Sequence, residues 1–576
     1  MDDSYKILRQ PRRVAAFFVS VGIAALIFYL IPQRSFEGQQ LNGQWYSVLP
    51  PIVAVAAALS FRNLIVALLA AFLTGSFLAF GPNPIVTLPS AFNIFILQNL
   101  IDGFSIFIFI FLFGLVGMIH VTYRSGGIHG LAEKLSVLAR GRRSTKLATF
   151  CAGLIIFFDD YSNTVVVGST MRKLTDRFRI SREKLAYLVD STTAPIAGLA
   201  MLSTWIAFEV FLFSQTAEAI GLDETGYGIF IKSVPYRFYC WGTLIFLILT
   251  SATDRDFGPM YRAEKRSHDT GLVQREGAQL ILSEKNEILE PDEGQKHLAR
   301  NAALPILWVI ATIFVGILLI GSYRMTEAGI PFSFGLMANW REAFGYATNP
   351  AYGEAGSMLI LAIAAITGGI WAILLASSSR VLKPGAAIKA YLQAFPTLWM
   401  AAFILIMAWG MKEICTTGLH TDEYLISLLG DRFPVWTLPL LTFFIASGMA
   451  FATGTSFGTM GILIPVILPL AYSLGAYQGE SQLFFFLTSA AILDGAIFGD
   501  HCSPISDTTV LSSIASGCDH IDHVSTQVIY ALTVMFIASV TGYLFVGMGI
   551  PLWTFFVLFP VISLIILWSI GKKVVN

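Results

Sequence analysis

Charge is scarce in this sequence. Only 13% of its 576 residues are charged, whereas 55% are hydrophobic. A soluble globular protein needs far more polar surface than that, so this class is excluded. Lysine plus arginine and aspartate plus glutamate both number 37, which leaves no basic excess to bind nucleic acid. The composition indicates a chain that lies mostly in a lipid bilayer.

Cysteine is also rare, and its few copies are dispersed. No C-x-x-C pair occurs, so the sequence supports neither a disulfide framework nor a zinc site. We interpret the five cysteines as buried thiols: Cys151, Cys240, Cys415, Cys502 and Cys518.

Long apolar runs are what the sequence has instead. Roughly 20 apolar helical residues cross a bilayer core about 30 Å thick. The first run, Val14 to Ile31, follows a basic segment without a convincing cleavage site, so we expect a retained helix. Further spans are predicted at 47–61, 63–80, 104–121, 185–216, 236–252, 302–320, 355–376, 395–411, 482–516, 526–547 and 551–571. The length rule thus predicts about twelve transmembrane segments.

Orientation follows from the basic loops. Lysine and arginine concentrate at 124–146, 172–184 and 380–389, and such loops face the cytoplasm. The same count places both termini in the cytoplasm. We therefore expect a multi-pass protein of the cell's inner (cytoplasmic) membrane.

The charged stretch 253–300 divides the chain. It mixes both signs and has no nucleotide motif, so it is interpreted as a cytoplasmic linker. The predicted organisation is an N-terminal helix and loop at 1–46, a first half at 47–252, the linker, a second half at 301–548 and a C-terminal helix at 549–576.

Two apolar segments do not fit the spanning count. Residues 147–170 lie between two basic loops that both face the cytoplasm, so the segment must enter the membrane and return. Residues 436–474 turn around a Thr/Gly/Ser-rich tip and begin and end outside. The sequence predicts two re-entrant hairpins of opposite orientation.

Each hairpin is followed by a span with a polar interruption. Residues 190–196 interrupt the span 185–216, and residues 500–508 interrupt the span 482–516. Pro195 and Pro504 each leave carbonyls free, which is tolerated in a membrane only inside protein or beside a cavity. The fold prediction is an all-α polytopic membrane protein, an inverted repeat with two broken helices and two opposed hairpins.

Acidic residues in these interruptions indicate the chemistry. A carboxylate in hydrocarbon is costly, so it persists where it binds a cation, carries a proton or lines a water path. Burial favours the protonated form and a bound cation favours the ionised form, so H⁺ and Na⁺ compete for one carboxyl group. The predicted ion ligands are Asp160, Asn163, Asp190, Thr193, Thr455, Ser456, Asp500, Ser503, Ser506 and Asp507, with Na⁺ at Asp160, Asn163, Asp500 and Asp507; the predicted proton carriers are Asp159, Asp494, His501 and Glu209.

Several of these residues have a structural alternative. Either Asp159 or Asp160 suits a helix N-cap, and so does Asp507. Asp190 could lie near the cytoplasmic interface, where charge costs little. Glu209 could lie at the outer rim of its span.

The histidines carry alternatives as well. His501 could relay protons or fix the break by hydrogen bonds, and both readings stay open. The run 517–523 contains metal-ligating residue types but no recognised ligand spacing, so a polar loop is expected.

Three motifs carry a family resemblance. The segments 156–164 (IFFDDYSNT), 182–192 (REKLAYLVDST) and 498–508 (FGDHCSPISDT) resemble signatures of the NhaC-type Na⁺/H⁺ antiporters. The resemblance extends over about residues 45–548. It implies membership of the ion-transporter superfamily, with paired hairpins, broken helices, elevator-like motion and an assembly that is often a homodimer. It also implies a transporter rather than an enzyme, with Na⁺ as the transported ion and no cofactor.

Other function classes fit less well. An intramembrane aspartyl protease also pairs two acids, but Ile497 stands where its Gly-x-Gly-Asp motif needs the first glycine. A cation channel would need rings of equivalent ligands from symmetric subunits. Within transporters, the alternative to Na⁺/H⁺ exchange is Na⁺- or H⁺-coupled exchange of an amine, an amino acid or an organic acid.

Overall fold

The computed structural model describes residues 44–574 of the chain. It leaves out 62–63, 98–102, 138, 281–290, 293, 334–338, 341, 344–345, 347–354, 422–423, 425–426, 429–432 and 477–478 within that range. The helix predicted at residues 14–31 lies outside the described residues.

The described part of the first half is helical. Short 3₁₀ or π turns occur at Trp45–Val48, Phe92–Leu97 and Val234–Tyr236. The α-helices are α1 (Leu49–Phe61), α2 (Leu64–Phe80), α3 (Pro84–Ala91), α4 (Gly103–Arg124), α5 (Gly127–Ser136), α6 (Arg142–Ile155), α7 (Asp160–Arg177), α8 (Arg182–Ser191), α9 (Ala194–Leu199), α10 (Thr204–Ile220), α11 (Gly226–Ser233) and α12 (Phe238–Thr253).

The second half repeats this helical character after a two-residue strand. Similar short turns lie at Ile414–Gly418, Val435–Thr437 and Ser539–Leu544. The elements are β1 (Arg255–Asp256), α13 (Gly258–Thr270), α14 (Arg300–Glu327), α15 (Ala355–Ser378), α16 (Pro384–Leu392), α17 (Ala394–Glu413), α18 (Leu438–Thr453), α19 (Ser456–Ala476), α20 (Ser481–Cys502), α21 (Asp507–Ser516), α22 (His520–Ala538), α23 (Phe545–Gly547), α24 (Trp553–Ser569) and β2 (Lys572–Lys573).

Helices occupy the predicted span positions throughout the described range. Seven of them are long and apolar enough to cross a membrane, or up to nine spans if each bent pair counts as one. Three further apolar helices are shorter, among them α12 and α24. The protein is therefore a mainly helical chain with many apolar helices, and the count of twelve crossings stays a prediction.

Both predicted hairpin segments contain a helix, a break and a second helix. In the first, α6 and α7 are separated by Ile156–Asp159, and in the second, α18 and α19 are separated by Gly454 and Thr455. Gly454 has φ of 68°, a left-handed conformation that ends α18 at little cost. Their re-entrant path through a membrane stays a prediction.

The first broken span differs in part from the prediction. Thr192 and Thr193 interrupt it as expected, but a second interruption at 200–203 separates α9 from α10. Ser203 caps α10 by accepting the Trp205 N–H. The second broken span is interrupted where predicted, by residues 503–506 between α20 and α21.

Helices of the two halves pack against one another. Helix α7 of the first pair packs on α21, and helix α19 of the second pair packs on α10. Within the second half, Gly495 and Gly499 let α20 approach the backbone of α18 so closely that a Cβ at either position would collide with it. These contacts bring the helix breaks of both halves together.

The segment predicted as a linker is docked against the protein. Lys146 Nζ lies 2.7 Å from Asp254 and 3.0 Å from Glu264, and Lys184 Nζ lies 2.7 Å from Asp256. The side chains of Lys146, Lys184, Asp256 and Glu264 are fully buried. Strand β1 also pairs antiparallel with β2 near the C-terminus. Residues 254–264 therefore form part of the folded core rather than a free tether.

Charge balance stabilises this buried ion network. Burial alone raises the pKa of Asp256, but Lys184 and Lys146 outweigh it and hold that pKa below its ordinary value. Arg142 completes the network by pairing with Glu264. Removing one member would leave an uncompensated buried charge.

We expect Glu264→Gln to destabilise the protein by about 3 kcal/mol, because Lys146 and Arg142 would lose a buried counter-charge. The midpoint of thermal aggregation in detergent measures the effect. Glu276→Gln, an exposed change in the same segment, is the matched control. Equal midpoints for the two variants would contradict a stabilising network.

Candidate functional site

Asp160 begins α7 at the first helix break and is almost fully buried. Its Oδ1 accepts the Tyr161 N–H at 3.0 Å, and its Oδ2 accepts the indole N–H of Trp205 at 3.0 Å. Trp205 comes from α10 and packs against Phe457 of α19, with ring centroids 5.0 Å apart. Asp160 is thus held at the contact between the two halves.

A tyrosine joins the acids of the two halves. The Tyr161 hydroxyl donates a hydrogen bond to Asp507, the first residue of α21. Asp507 is exposed, and Tyr161 is 46% exposed. Asp507 therefore lies on the surface side of the cluster, and the buried acids lie inside it.

Asp500 lies deeper, near the end of α20. Ser506 Oγ donates to its Oδ1 at 2.7 Å, and Thr508 Oγ1 lies 3.4 Å from its Oδ2. Ser503 Oγ donates to the Phe451 carbonyl at 2.8 Å, which ties this break to the end of α18. The hydroxyls of the second break therefore surround a buried carboxylate.

The hairpin tip adds two of the predicted ligands. Ser456 Oγ is 3.4 Å from the Ala496 carbonyl of α20, so it lies against the helix that carries Asp500. Thr455 stands just before α19 and accepts the Gly458 N–H at 3.4 Å. Thr455 therefore acts as a local cap in this structure.

Asp190 is buried inside the protein, and its distance from the membrane interface stays a prediction. Gln527 Nε2 donates to it at 2.5 Å, and Thr509 and Ser512 hydroxyls donate at 3.2 Å each. Three helices, α8, α21 and α22, thus meet at this carboxylate. Its hydrogen bonds are already made by protein donors.

Asn163 organises the carbonyls of the first break. Its Nδ2 donates to the carbonyls of Gly153, Ile156 and Thr192 at 2.9, 3.2 and 2.8 Å. Its Oδ1 is buried and has no hydrogen-bond partner among the described residues. Nearby, the Thr193 and Thr164 hydroxyls lie 2.9 Å apart. Asn163 therefore keeps one oxygen available for a ligand.

The N-cap interpretation holds for Asp159 but not for Asp507. Asp159 is the N-cap of α7 and accepts the Ser162 N–H at 2.8 Å. Asp507 is not a cap, because Ser506 holds that position and Asp507 accepts only the adjacent Thr508 N–H. The structure thus gives Asp159 a structural role in this conformation.

His501 is held on both ring nitrogens. Its Nε2 lies 3.0 Å from Ser191 Oγ, and its Nδ1 lies 2.7 Å from Tyr239 Oη. These contacts fix the second break against α8 and α12. The predicted polar loop at 517–523 includes the first turn of α22, where Asp519 is the N-cap.

Two predicted proton carriers lie apart from the carboxylate cluster formed by Asp160, Asp190, Asp500 and Asp507. Glu209 is fully buried and pairs with Arg237, with 2.7 Å between Oε2 and Nη2. Asp494 accepts the Tyr239 N–H at 2.5 Å and the Tyr543 hydroxyl at 2.7 Å. The depth of Glu209 along its span stays a prediction.

The sequence reasoning missed four residues that shape the site: Trp205, Arg237, Gln527 and the hydroxyl of Tyr161. A lone glutamine in the apolar run 526–547 was a signal for Gln527. The partners of Trp205 and Arg237 lie in other elements, and no local pattern marks them.

The carboxylate cluster suits a cation only with mixed ligands. Among the described residues, no three His, Cys, Asp or Glu side chains lie close enough together to hold one metal ion. A cation bound here would therefore take at most two carboxylates. Hydroxyl, amide and carbonyl oxygens, which hard cations accept, would complete its shell.

Comparison with known proteins identifies the family. The model of the Na⁺/H⁺ antiporter family matches residues 196–548. An uncharacterized protein of Haemophilus influenzae is 30% identical over 543 residues, covering 92% of this chain and 96% of that protein. The malate-2H⁺/Na⁺-lactate antiporter of Bacillus subtilis is 36% identical over 117 residues, 20% of this chain and 24% of that protein.

A solved structure shares the overall fold. The YdaH transporter of Alcanivorax borkumensis aligns with a TM-score of 0.51 at 15% identity, over 87% of this chain and 99% of that one. The family resemblance drawn from the three motifs is confirmed by the family model. The chain is an integral membrane protein that belongs to the Na⁺/H⁺ antiporter family, a family of transporters rather than enzymes.

Proposed function

We propose that the chain exchanges Na⁺ for H⁺ at the carboxylate cluster. The observation that carries this proposal is the hydrogen bond from the Tyr161 hydroxyl to Asp507, which brings Asp160, the residue before Tyr161, into electrostatic contact with an acid of the other half. Asp507 is exposed, and Asp160 and Asp500 are buried. A cation can therefore enter at Asp507 and lose its water among fixed oxygens.

The ligand set follows from which oxygens can take part. Asp500, Ser506 and Asp507 supply carboxylate and hydroxyl oxygens from the second break. The first break offers Asp160 and the unpartnered Oδ1 of Asn163, and at most two of the three carboxylates contact the ion at one time. Asp190 already accepts three protein donors, so we assign it to positioning the breaks and to protonation rather than to direct Na⁺ contact.

Exchange requires H⁺ and Na⁺ to exclude one another. A buried carboxylate that has no cation nearby favours the protonated form, and a bound cation favours the ionised form. Protonation of Asp160 or Asp500 would thus release Na⁺, and Na⁺ entry would release a proton. Competition of this kind links the two fluxes without a separate coupling device.

Alternating access would act on the contacts between the halves. The Tyr161–Asp507 bond and the Trp205–Phe457 contact join residues of opposite halves, so a change of access must break or shift them. Twelve transmembrane spans with inverted repeats and opposed re-entrant hairpins, cytoplasmic termini, an inner-membrane location and a homodimer remain part of this proposal.

Exchange of an organic solute is the second candidate. The name of the Bacillus subtilis relative includes two organic anions, which favours such a cargo. Among the described residues, no lysine or arginine forms an ion pair with Asp160, Asp500 or Asp507, which favours a cation. An amine or an amino acid's ammonium group would also satisfy these carboxylates.

Asp160→Asn and Asp507→Asn should each lower Na⁺-driven proton movement about tenfold or more, because each removes a charged ligand. The measurement uses proteoliposomes with an internal pH-sensitive dye and pulses of Na⁺, Li⁺ and K⁺. Asp223→Asn, an exposed aspartate, is the control and should exchange normally.

Wild-type exchange in both variants would remove these acids from the site. A wild type that is silent with Na⁺ but responds to an amine, an amino acid or a dicarboxylate would replace the first candidate with the second.

The opening at Asp507 predicts water access at Ile505, which is 45% exposed beside the Gly454 tip. In a background lacking the half-buried Cys151, Ile505→Cys should react with a membrane-impermeant thiol reagent, and Na⁺ should slow the reaction. Ile497→Cys, fully buried on α20, is the matched control. Equal rates at the two positions would mean that this surface does not open to water.

A further inference from the structure

A second buried polar cluster lies away from the carboxylate cluster. We call it the Arg237 cluster; it consists of Glu209 on α10, Arg237 before α12, and Asp494 on α20. Arg237 Nη2 lies 2.7 Å from Glu209 Oε2, and Arg237 also interacts electrostatically with Asp494. All three side chains have no exposed surface.

Four of the seven side-chain polar atoms in this cluster lack partners. Glu209 Oε1, Asp494 Oδ1, and Arg237 Nε and Nη1 are buried without a hydrogen bond to any described residue. Buried polar groups in native proteins are nearly always satisfied, so unpartnered atoms on three facing side chains need an explanation. A small bound species between them would supply one.

The charges of the cluster do not balance. Two carboxylates face one guanidinium, which stays protonated in proteins, so the ionised cluster carries one negative charge. The other titratable groups that face it are Tyr239 and Cys240 of α12 and Tyr543, all neutral in their ordinary form. A buried net charge is strongly unfavourable, so the cluster requires one positive charge.

A proton fits this requirement better than Na⁺. Glu209 Oε2 and Asp494 Oδ2 are already bonded to Arg237, Tyr239 and Tyr543, and the Cys240 thiol also interacts with Asp494, which leaves at most two carboxylate oxygens. Hard cations need about six oxygen ligands, and a guanidinium beside the site repels them. A proton needs only one oxygen.

We propose that the Arg237 cluster binds one proton, shared between Glu209 and Asp494, and is a protonation site separate from the carboxylate cluster. Arg237 is a positioning residue that is paired with Glu209 and interacts electrostatically with Asp494. The proposal that this proton influences exchange rests on the proposed antiport. The proposal that the proton is bound does not.

Tyr239 connects the two clusters. Its N–H donates to Asp494, and its hydroxyl lies 2.7 Å from Nδ1 of His501, which contacts Ser191 beside Asp190. Loss of the proton would draw Tyr239 toward an ionised Asp494. The state of the Arg237 cluster is thereby transmitted to both helix breaks.

Infrared spectroscopy of the purified full-length protein near neutral pH tests the proposal. The C=O stretch of protonated carboxylic acids, identified by its shift in D₂O, is compared between the wild type and single variants. Glu209→Gln and Asp494→Asn should each remove the same signal, equal to one carboxylic acid, because either change balances the remaining acid with Arg237. Glu218→Gln, an exposed change on α10, should remove none.

The result that supports the proposal is that either single variant removes the same C=O signal. If both variants keep the wild-type signal, the cluster holds no proton and the proposal is overturned. If a neutral variant fails to fold, Tyr543→Phe decides, since losing one hydrogen bond to Asp494 should shift the C=O frequency without removing the band. An unshifted spectrum in that variant would also overturn it.

A transport assay tests the proposed proton site and the proposed antiport separately. In proteoliposomes, Glu209→Gln should shift the pH profile of Na⁺-driven proton flux, and Glu218→Gln should not. An unchanged profile in Glu209→Gln would refute the transmission to the breaks. A wild type without any Na⁺-driven flux would refute the antiport, while the infrared result would still decide whether the site exists.

Discussion

The cost of burying a carboxylate constrains the whole structure. Asp160, Asp190, Asp494 and Asp500 lie inside apolar protein, and each is held by donors from at least one other element. Most of those donors are side chains, such as the Trp205 indole, the Gln527 amide and the Ser506 hydroxyl, and they reach the acids because the helices pack closely together. The breaks at 156–159 and 503–506 place Asp160 and Asp500 at or near helix ends, where these side chains converge.

This constraint explains which features could be predicted from sequence. The motifs at 156–164 and 498–508 place acids and prolines within apolar runs, and the breaks occur there. The interruption at 200–203 was not predicted, because Ala200, Met201 and Leu202 give no breaking signal. Ser203 reveals it only through its cap on α10.

Ion pairs between residues that are distant in sequence could not be predicted from local sequence patterns. Asp256 and Glu264 stand in a hydrophilic stretch, where charge normally means exposure, and their partners Lys146 and Lys184 are far away along the chain. Arg237 pairs with Glu209 from another element in the same way. Sequence patterns report local burial but not which charges meet. Such pairs emerge only when the tertiary contacts are known.

The glycines of α20 have a mechanical consequence. At Gly495 and Gly499 helix α20 meets only the backbone of α18 and the Cβ atoms of Ala446 and Ala450. Such a seam offers no rotamers that could rearrange, so it resists partial opening. Helices α18 and α20 are thereby tied into one stiff pair, and a displacement of Asp494 or Asp500 would carry α18 with it. The breaks at Gly454 and at residues 503–506 lie where the chain leaves that pair.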